Sequence, residues 1–356
     1  MALSCDIFCS VVDNFGDAGV CWRLARQLVR EHGWRVRLWI DDVRPLCGLR
    51  PGIDAEGDRQ DADGVEVRRW ATPFPEAEPA AVVIEAFACE LPASYVGAMT
   101  HGKRVWINLE YLSPEAWVAD FHGKASPHPR LPLTKHFFFP GFVEGTGGLI
   151  RERDADFGAR RPSPALSVSL FCYDNPALPA LLDAWAASPE PIVCHVADGL
   201  PRRQVEAWLQ QAFAPGSEAR RGALALRALP FVAQPEYDRL LGAGDLNFVR
   251  GEDSFVRAQW AERPFVWHIY PQPDAAHIAK LEAFLDRYLA GLDVGSAQAC
   301  RRFFAAWNGT GDVAAAWPAF RAALPALESH GREWAAEIAK PGNLAENLAK
   351  FCLERL

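Results

Sequence analysis

The sequence lacks three patterns that would each define a class of protein. Its nine cysteines are scattered, odd in number and without a Cys-x-x-Cys pair, so we expect neither a zinc site nor a disulfide framework. No segment approaches the roughly 20 consecutive apolar residues of a membrane-spanning helix. The first apolar segment contains Asp6 and no basic residues precede it, so no secretory signal peptide is expected. These absences predict a cytoplasmic protein with reduced core thiols and no membrane partner.

An excess of basic residues is also absent. The formal net charge is -8 and the isoelectric point is about 5.6, so nucleic acid is not an expected partner, because proteins that bind it usually carry a basic surface. What the chain does have is ordinary globular composition, with 50% hydrophobic and 23% charged residues. Its 356 residues predict two domains at about 100–200 residues each.

Short apolar segments alternate with helical patterns along the chain. The first half predicts a helix at 17–31 and strands at 5–12, 34–40, 65–70, 81–87, 104–108 and 136–140. After a linker at 143–164 rich in glycine, proline and charge, helices begin near Pro176, Pro201 and Asp253. The strands of this second half are predicted at 166–171, 192–196, 224–229, 246–249 and 265–269. Such alternation is typical of a parallel sheet covered by helices.

The predicted fold is therefore α/β, with two doubly wound, Rossmann-like domains that face each other across a cleft. The domains are predicted at 1–160 and 161–330, and a last helix at about 331–356 is predicted to pack back on the first domain. Ligands of such sheets bind beyond the carboxyl ends of the strands. We therefore expect the active site between the loops 13–17 and 250–254.

The loop Asp13-Asn14-Phe15-Gly16-Asp17 follows the first predicted strand and opens the first helix. It lacks the Gly-x-Gly-x-x-Gly spacing of a dinucleotide site, and two carboxylates would repel a phosphate. Paired acids instead favour a cationic or proton-donating ligand. The alternative is purely structural, with Asp17 capping the helix and Asp13 closing an Asx-turn.

The segment Arg250-Gly251-Glu252-Asp253-Ser254 also joins a strand to a helix. We predict Asp253 or Ser254 as the N-cap, with first-turn amides, a hydroxyl and the guanidinium groups of Arg250 and Arg257 available to a diphosphate. Glu252 would then contact a sugar hydroxyl. An ordinary capped helix with a surface Arg–Glu pair is the alternative.

Aromatic residues end several strands of the second half. They are Phe171, Tyr173, Phe231, Trp267, His268 and Tyr270. Such rings can stack on a base, although core packing is the favoured alternative for Phe171 and Phe231 and is open for the others, and a lone histidine such as His268 is more often structural than catalytic.

Three long motifs together resemble a known family. The segments VVDNFGDAGVCWRLARQL from Val11, RGEDSFVRAQWA at 250–261 and PFVWHIYPQ at 264–272 are similar to those of bacterial elongation factor P arginine rhamnosyltransferases, over nearly the whole chain. The resemblance implies an inverting, metal-independent GT-B glycosyltransferase without a cofactor. It implies transfer of L-rhamnose from dTDP-β-L-rhamnose to one arginine of elongation factor P, which activates the factor to relieve stalling at consecutive prolines.

The resemblance also implies roles for individual residues. Asp13, Asp17 and Glu252 correspond to the family's essential carboxylates, and we favour Asp17 as the base and Asp13 as the residue that orients the arginine. The acceptor arginine would be received by Asp13, Asn14, Phe15, Gly16 and Asp17. The donor would be bound by Phe171, Tyr173, Phe231, Tyr237, Arg250, Glu252, Asp253, Ser254 and Gln272.

Within that donor set, Phe171 and Phe231 would flank the thymine, while Tyr173 and Gln272 would hydrogen-bond the donor. Position 237 carries tyrosine where the family carries phenylalanine, so its stacking role is less securely implied. Two alternatives stay open at this point. One is another GT-B enzyme, such as a small-molecule glycosyltransferase or a sugar epimerase, and the other is a non-catalytic nucleotide-binding adaptor.

Overall fold

The computed structural model describes residues 2–13, 15–160, 163–272 and 275–356. The chain divides into two compact units, each with its own sheet. Unit 1 comprises Met1–Asp154 together with Ile338–Leu356, and unit 2 comprises Ala155–Glu337. Sequence analysis places its domain boundaries nearby, at 160 and at about 331.

Unit 1 is built on a sheet whose central strands are parallel. Among the described residues its strands are β1 (Ser4–Cys9), β2 (Arg35–Ile40), β3 (Arg59–Ala62), β4 (Val65–Arg69), β5 (Val82–Ala86), β6 (Val105–Leu109), β7 (Ala125–Pro127) and β8 (Thr134–Phe138). They lie in the order β3-β4-β2-β1-β5-β6-β8-β7. Only the edge pairs β3/β4 and β7/β8 are antiparallel in this part of the chain. The core of this order, β4-β2-β1-β5-β6-β8, is the doubly wound arrangement.

The helices of unit 1 follow the strands. They are α1 (Phe15–His32), α2 (Arg44–Leu49), α3 (Ala93–Ala98) and α4 (Val118–Phe121). The prediction of the long first helix is confirmed, since its four-residue apolar repeat at Val20, Leu24 and Leu28 is buried. The two short antiparallel edge strands and α2 to α4 have no strong periodicity and were not predicted.

The core of unit 1 contains one fully buried carboxylate, Asp6 on β1. Arg37 donates to both of its oxygens, at 2.5 and 2.6 Å. The indole Nε1 of Trp39, the backbone N–H of Ala80 and the hydroxyl of Tyr95 complete its shell of donors. Because both carboxylate oxygens of Asp6 accept hydrogen bonds, the buried charge is tolerated in the core.

Unit 2 is built on a second, smaller sheet. Its strands are β9 (Leu166–Leu170), β10 (Ile192–Val196), β11 (Glu218–Arg221), β12 (Leu224–Ala228), β13 (Leu246–Arg250) and β14 (Phe265–His268). Their order is β11-β12-β10-β9-β13-β14, with the edge strand β11 antiparallel and the other described pairs parallel. The predicted second Rossmann-like sheet is therefore confirmed.

The helices of unit 2 include one that the sequence analysis missed. They are α5 (Leu178–Ala186), α6 (Leu200–Leu209), α7 (Gln234–Ala243), α8 (Asp253–Trp260), α9 (Ala276–Tyr288), α10 (Val294–Trp307) and α11 (Val313–Ile338). The overlooked helix is α7, whose buried residues are Gln234, Asp238, Leu241 and Gly242, so its buried face has almost no apolar repeat. It matters for the site because it carries Tyr237.

The prediction of a single last helix at 331–356 is wrong. Residues up to Ile338 belong to α11, and a separate helix α12 (Leu344–Leu353) follows. The break comes at Pro341 and at Gly342, whose φ of 91° is in the left-handed region that favours glycine. Asn343 then caps the new helix by accepting a hydrogen bond from the backbone N–H of Ala345, and α12 packs against α1 within unit 1.

All nine cysteines are free thiols, and seven of them are buried. Their burial agrees with the prediction that most cysteines lie in the core, and the reduced state stays a prediction. No helix in the described part of the chain is long and apolar enough to cross a membrane.

Candidate active site

Each sheet has one topological switch point, where the connections that follow two neighbouring strands run in opposite directions. In unit 1 it lies between β1 and β5, and in unit 2 between β9 and β13. The loops that follow these strands hold nearly all of the predicted site residues. Because open α/β sheets bind ligands at this position, the topology supports the two loops chosen from the sequence, each within its own unit.

Asp17 is the most constrained side chain of the unit 1 loop. It is only 2% exposed, and its Oδ2 accepts hydrogen bonds from the backbone N–H groups of Val12 and Asp13, at 2.8 and 2.7 Å. Its Oδ1 accepts a hydrogen bond from the hydroxyl of Tyr111 at 3.1 Å. Three donors therefore hold the carboxylate in one orientation at the start of α1.

Asp17 is the third residue of α1 and reaches back to the residues before the helix. The helix-capping role considered from the sequence is not observed, because both N–H groups belong to residues that precede α1, and Asp17 instead holds the loop. Its other oxygen bonds the hydroxyl of Tyr111, which follows β6 and lies 94 residues away in the chain. The carboxylate of Asp17 thus joins the loops that follow β1 and β6.

Asp13 and Gly16 lie against each other in the same loop. The Gly16 N–H donates to the Asp13 carbonyl at 2.7 Å, and a Cβ at position 16 would stand 2.7 Å from Asp13 Oδ2. Glycine is therefore required there for the carboxylate of Asp13 to keep its place. Phe15 begins α1 and is partly buried, and Asn14 lies outside the described residues.

Two aromatic residues of this site were missed from the sequence. Tyr111 follows β6, and its ring stacks on that of Phe87, which follows β5, at a centroid distance of 4.3 Å and an angle of 11°. Both come just after apolar strands, which is the signal that could have found them.

The unit 2 loop is organised by Ser254 and Trp267. The Ser254 hydroxyl donates to the carbonyl of Arg250 at 2.5 Å and accepts from its N–H at 3.1 Å, while the Trp267 indole donates to the Gly251 carbonyl at 2.8 Å. The prediction of Asp253 or Ser254 as N-cap is wrong, because α8 begins at Asp253 and the N-cap is Glu252. Ser254 instead fastens the helix to the end of β13.

Arg250 lies among aromatic rings. Its guanidinium is 4.7 Å from the centroid of Phe171 and 4.4 Å from that of Tyr173, and Tyr237 meets Phe171 edge-on at 5.8 Å. These residues come from the ends of β9 and β13 and from α7. The structure therefore brings together four of the predicted donor residues. Cation–π attraction between Arg250 and the rings of Phe171 and Tyr173 stabilises this arrangement.

The acidic residues of this loop have partners of their own. Glu252 forms an ion pair with Lys280 of α9 at 3.5 Å, with both side chains mostly buried. Asp253 accepts a hydrogen bond from Gln234 of α7 at 3.2 Å. Lys280 is a further residue that the sequence analysis did not single out, because nothing in its local pattern separates it from a surface lysine.

Phe231 and Gln272 follow strands other than those that carry this cluster. Phe231 follows β12, which is separated from β9 by β10, and is 44% exposed. Gln272 follows β14, is exposed, and its backbone N–H donates to the Nδ1 of His277 at 3.1 Å. Their donor contacts stay predictions.

Arg257 is not available to a diphosphate, contrary to the sequence-based expectation. Its side chain is fully buried and pairs with Asp238 at 2.8 Å, and its guanidinium lies 4.8 Å from the ring of Phe157. The whole of α8 is buried, and within it Arg257 is occupied by its pair with Asp238, which stabilises unit 2.

Cys172 lies between Phe171 and Tyr173 but has no nucleophilic role. It is fully buried, and burial raises the pKa of its thiol to about 12. The thiol is therefore protonated at neutral pH. Among the described residues no group of three or more metal-ligating side chains is found, and metal independence stays a prediction.

His268 ends β14 beside Arg250 on β13. It is 6% exposed, contacts the ring of Tyr173 at 5.4 Å and has no hydrogen-bond partner at Nδ1 within the described residues. Burial first, and then the charges of Arg250 and His277, lower the pKa of His268 to about 4. The imidazole is therefore neutral at pH 7.

This lowered pKa predicts a component of acid destabilisation. The unfolded histidine has a pKa near 6.5, so it binds a proton before the folded one does, and stability is lost as pH falls from about 6.5 to about 4. His268→Gln should reduce the loss of unfolding free energy between pH 7 and pH 4.5 by about 2–3 kcal/mol, measured by urea denaturation. The exposed His101→Gln should leave that loss unchanged, and equal losses in wild type and His268→Gln would contradict the assignment.

The fold class follows from comparison with solved structures. The chain is similar to a calicheamicin glycosyltransferase, with a TM-score of 0.55, 14% identity and 100% of both chains covered. It is also similar to the spinosyn rhamnosyltransferase SpnG complexed with thymidine diphosphate, with a TM-score of 0.52, 13% identity, and 99% of this chain and 100% of that chain covered. These likenesses establish the GT-B fold predicted from the sequence.

More similar proteins narrow the class to one family. The structure solved to explain EarP-mediated arginine glycosylation of translation elongation factor EF-P matches with a TM-score of 0.69 and 35% identity, over 99% of this chain and 100% of that one. The protein-arginine rhamnosyltransferases of Pseudomonas aeruginosa and Pseudomonas putida are 46% and 47% identical, over 98% and 99% of both chains respectively.

The family model for the elongation factor P (EF-P) rhamnosyltransferase EarP matches residues 5–353. The chain belongs to this family, as the three sequence motifs predicted, and the protein is a glycosyltransferase.

Proposed function

We propose that this enzyme transfers L-rhamnose from dTDP-β-L-rhamnose to an arginine side chain of elongation factor P, with inversion at the anomeric carbon. Membership of the family supports the proposal. The observation that carries it within the molecule is the buried carboxylate of Asp17, held by three donors at the switch point of unit 1. Such a group can pair with a cationic acceptor and accept its proton.

The acceptor poses a specific chemical problem. A guanidinium is protonated at any physiological pH and its lone pairs are delocalised, so it is a poor nucleophile. A carboxylate that binds it can orient one nitrogen and remove a proton from it as the new bond forms. We assign the base to Asp17 and the orienting role to Asp13, whose carboxylate lies against Gly16, with Asn14 and Phe15 beside them.

The donor is assigned to the unit 2 cluster. Arg250 supplies a positive charge and the first amides of α8 supply backbone donors for the diphosphate, while Phe171, Tyr173 and Tyr237 supply aromatic surface for the base. Glu252, with its partner Lys280, is assigned to the sugar. Ser254 and Asp253 complete the loop, and Phe231 and Gln272 are assigned to the thymine and to a donor hydrogen bond.

The transfer balances as a single inverting displacement. An arginine nitrogen forms a bond to the anomeric carbon, and the bond from that carbon to the diphosphate oxygen breaks on the opposite face. The proton lost by nitrogen goes to Asp17, and the leaving dTDP keeps the bonding electron pair. Arg250 and the α8 amides stabilise the charge that develops on the diphosphate. In the cell, the modified factor would then relieve ribosomes stalled at consecutive prolines, which places the enzyme in the cytoplasm.

The direct test is an intact-mass measurement. The protein is incubated with dTDP-rhamnose and purified elongation factor P, and the factor is weighed before and after. We expect a gain of one deoxyhexose, located by fragmentation on an arginine. No gain would overturn the proposal, and rhamnose found on a small molecule or epimerised donor instead would identify another GT-B activity.

Arg250→Gln tests the donor site separately from the chemistry. Because the substitution removes one charged hydrogen-bond donor from the diphosphate, we expect the dissociation constant for thymidine diphosphate to rise about 10–100-fold, measured by calorimetry. The matched control is Arg227→Gln on β12, where the arginine is 50% exposed and pairs with Glu218. Unchanged affinity in Arg250→Gln would remove this residue from the donor site.

A further inference from the structure

We infer that Tyr111 is the positioning residue of the proposed base, and that a strained turn after β5 holds it in place through Phe87. The inference rests on the proposed function, because it gives Tyr111 a role through Asp17. Nothing in the similarity of the chain to its relatives assigns this role.

Tyr111 contacts the carboxylate of Asp17 from a distant segment of unit 1. Two backbone N–H groups of the loop satisfy Asp17 Oδ2, and they belong to the same segment as the carboxylate. The Tyr111 hydroxyl is the donor from another part of the sheet, and it bonds the other oxygen, Oδ1, at 3.1 Å. Rotation of the carboxylate about its Cβ–Cγ bond would break both sets of contacts, so the tyrosine restrains the plane of the carboxylate.

The ring of Tyr111 is held by stacking on Phe87. Its side chain is 38% exposed, so core packing alone does not determine the ring position. The stack on Phe87, at 4.3 Å and 11°, supplies a flat surface on one face of the ring. A stacked aromatic pair restricts tilt more than aliphatic contact does.

Phe87 itself lies in a turn with an unusual backbone conformation. Phe87, Ala88 and Glu90 have φ of 57°, 54° and 50°, a region that residues with a Cβ rarely adopt. The turn is held by the Phe87 N–H to the Leu109 carbonyl at 2.7 Å and by the Ala88 N–H to the buried side chain of Asn108 at 3.1 Å. Strain that is held in this way by surrounding bonds is typical of functional sites.

Loss of the Tyr111 hydroxyl should lower kcat and leave KM nearly unchanged. Tyr111→Phe keeps the ring and its stack but removes the donor to Asp17 Oδ1. We expect kcat for modification of elongation factor P to fall about 10-fold, since one hydrogen bond to a charged group is lost, while KM for both substrates stays within about 2-fold. Phe87→Leu should lower kcat in the same direction by less, because the hydroxyl remains but its position is looser.

A double variant distinguishes a positioning role of Tyr111 from a purely structural one. Because Tyr111 acts through Asp17, Tyr111→Phe should cost nothing further in the Asp17→Asn background. A merely structural role would instead give the same additional loss in both backgrounds. The control is Tyr95→Phe, which removes another tyrosine hydroxyl that donates to a buried aspartate of unit 1, Asp6. It should lower stability and leave kcat unchanged.

The outcomes distinguish this inference from the proposed function. If wild-type enzyme does not modify elongation factor P, the proposed function fails. If wild type is active and Tyr111→Phe retains its kcat, or the two losses simply add, the positioning role is overturned and the proposed function stands.

Discussion

Asp17→Asn should give a folded enzyme whose turnover is lower by about 10²–10⁴-fold, the usual cost of losing a general base. The amide has the shape of the carboxylate. Its oxygen can still accept from the Val12 and Asp13 N–H groups, and its NH₂ can donate to the Tyr111 hydroxyl. What is lost is the capacity to accept a proton. The measurement is the initial rate of mass gain on elongation factor P at saturating donor.

Two further measurements make this result specific. Affinity for thymidine diphosphate should be unchanged, because the proposed donor residues belong to unit 2 and Asp17 to unit 1. The control Asp58→Asn changes an exposed carboxylate of unit 1 and should retain full turnover. Turnover of Asp17→Asn within about 3-fold of wild type would be too small for a general base and would transfer that role to Asp13.

The second large effect is expected on stability, at Asp6. Asp6→Ala removes the acceptor of Arg37, Trp39, Ala80 and Tyr95 at once. Breaking a buried ion pair by removing one partner costs about 3–5 kcal/mol, because the remaining charge and donors are left without compensation. We expect the urea midpoint of the unit 1 transition, followed by tryptophan fluorescence, to fall accordingly at a similar m-value.

The control for this prediction is Asp61→Ala on the edge strand β3. Asp61 is exposed, so its removal should change the unfolding free energy by no more than about 0.5 kcal/mol. If Asp6→Ala unfolded at the same urea concentration as wild type, the Asp6 network would contribute nothing net to stability.

The fold was predictable because its strongest signals are local. The parallel strands are short apolar runs, and α1 carries a clean repeat at Val20, Leu24 and Leu28. The elements that escaped prediction depend on partners. The edge strand β3 is stabilised by pairing with β4, and α7 is a short helix with a weak apolar repeat that packs on α8.

The candidate site shows the same division. The acids of the first loop and the RGEDS segment were recognisable because they directly follow strands. The local pattern could not tell Arg250 from Arg257, since both are arginines near one helix start. Only the packing of α8 separates them, because it directs Arg257 to Asp238 in the core and leaves Arg250 among the aromatic rings.

The sequence by itself therefore determined the α/β class and the two candidate loops through residue type, spacing and order along the chain, and its three long motifs determined the family. Tertiary structure decided how each side chain is held. Tyr111 is 94 residues from Asp17 in the chain, yet its hydroxyl bonds the carboxylate, because β1, β5 and β6 are neighbours in the sheet. Contacts between distant segments are created by strand order, which no local pattern contains.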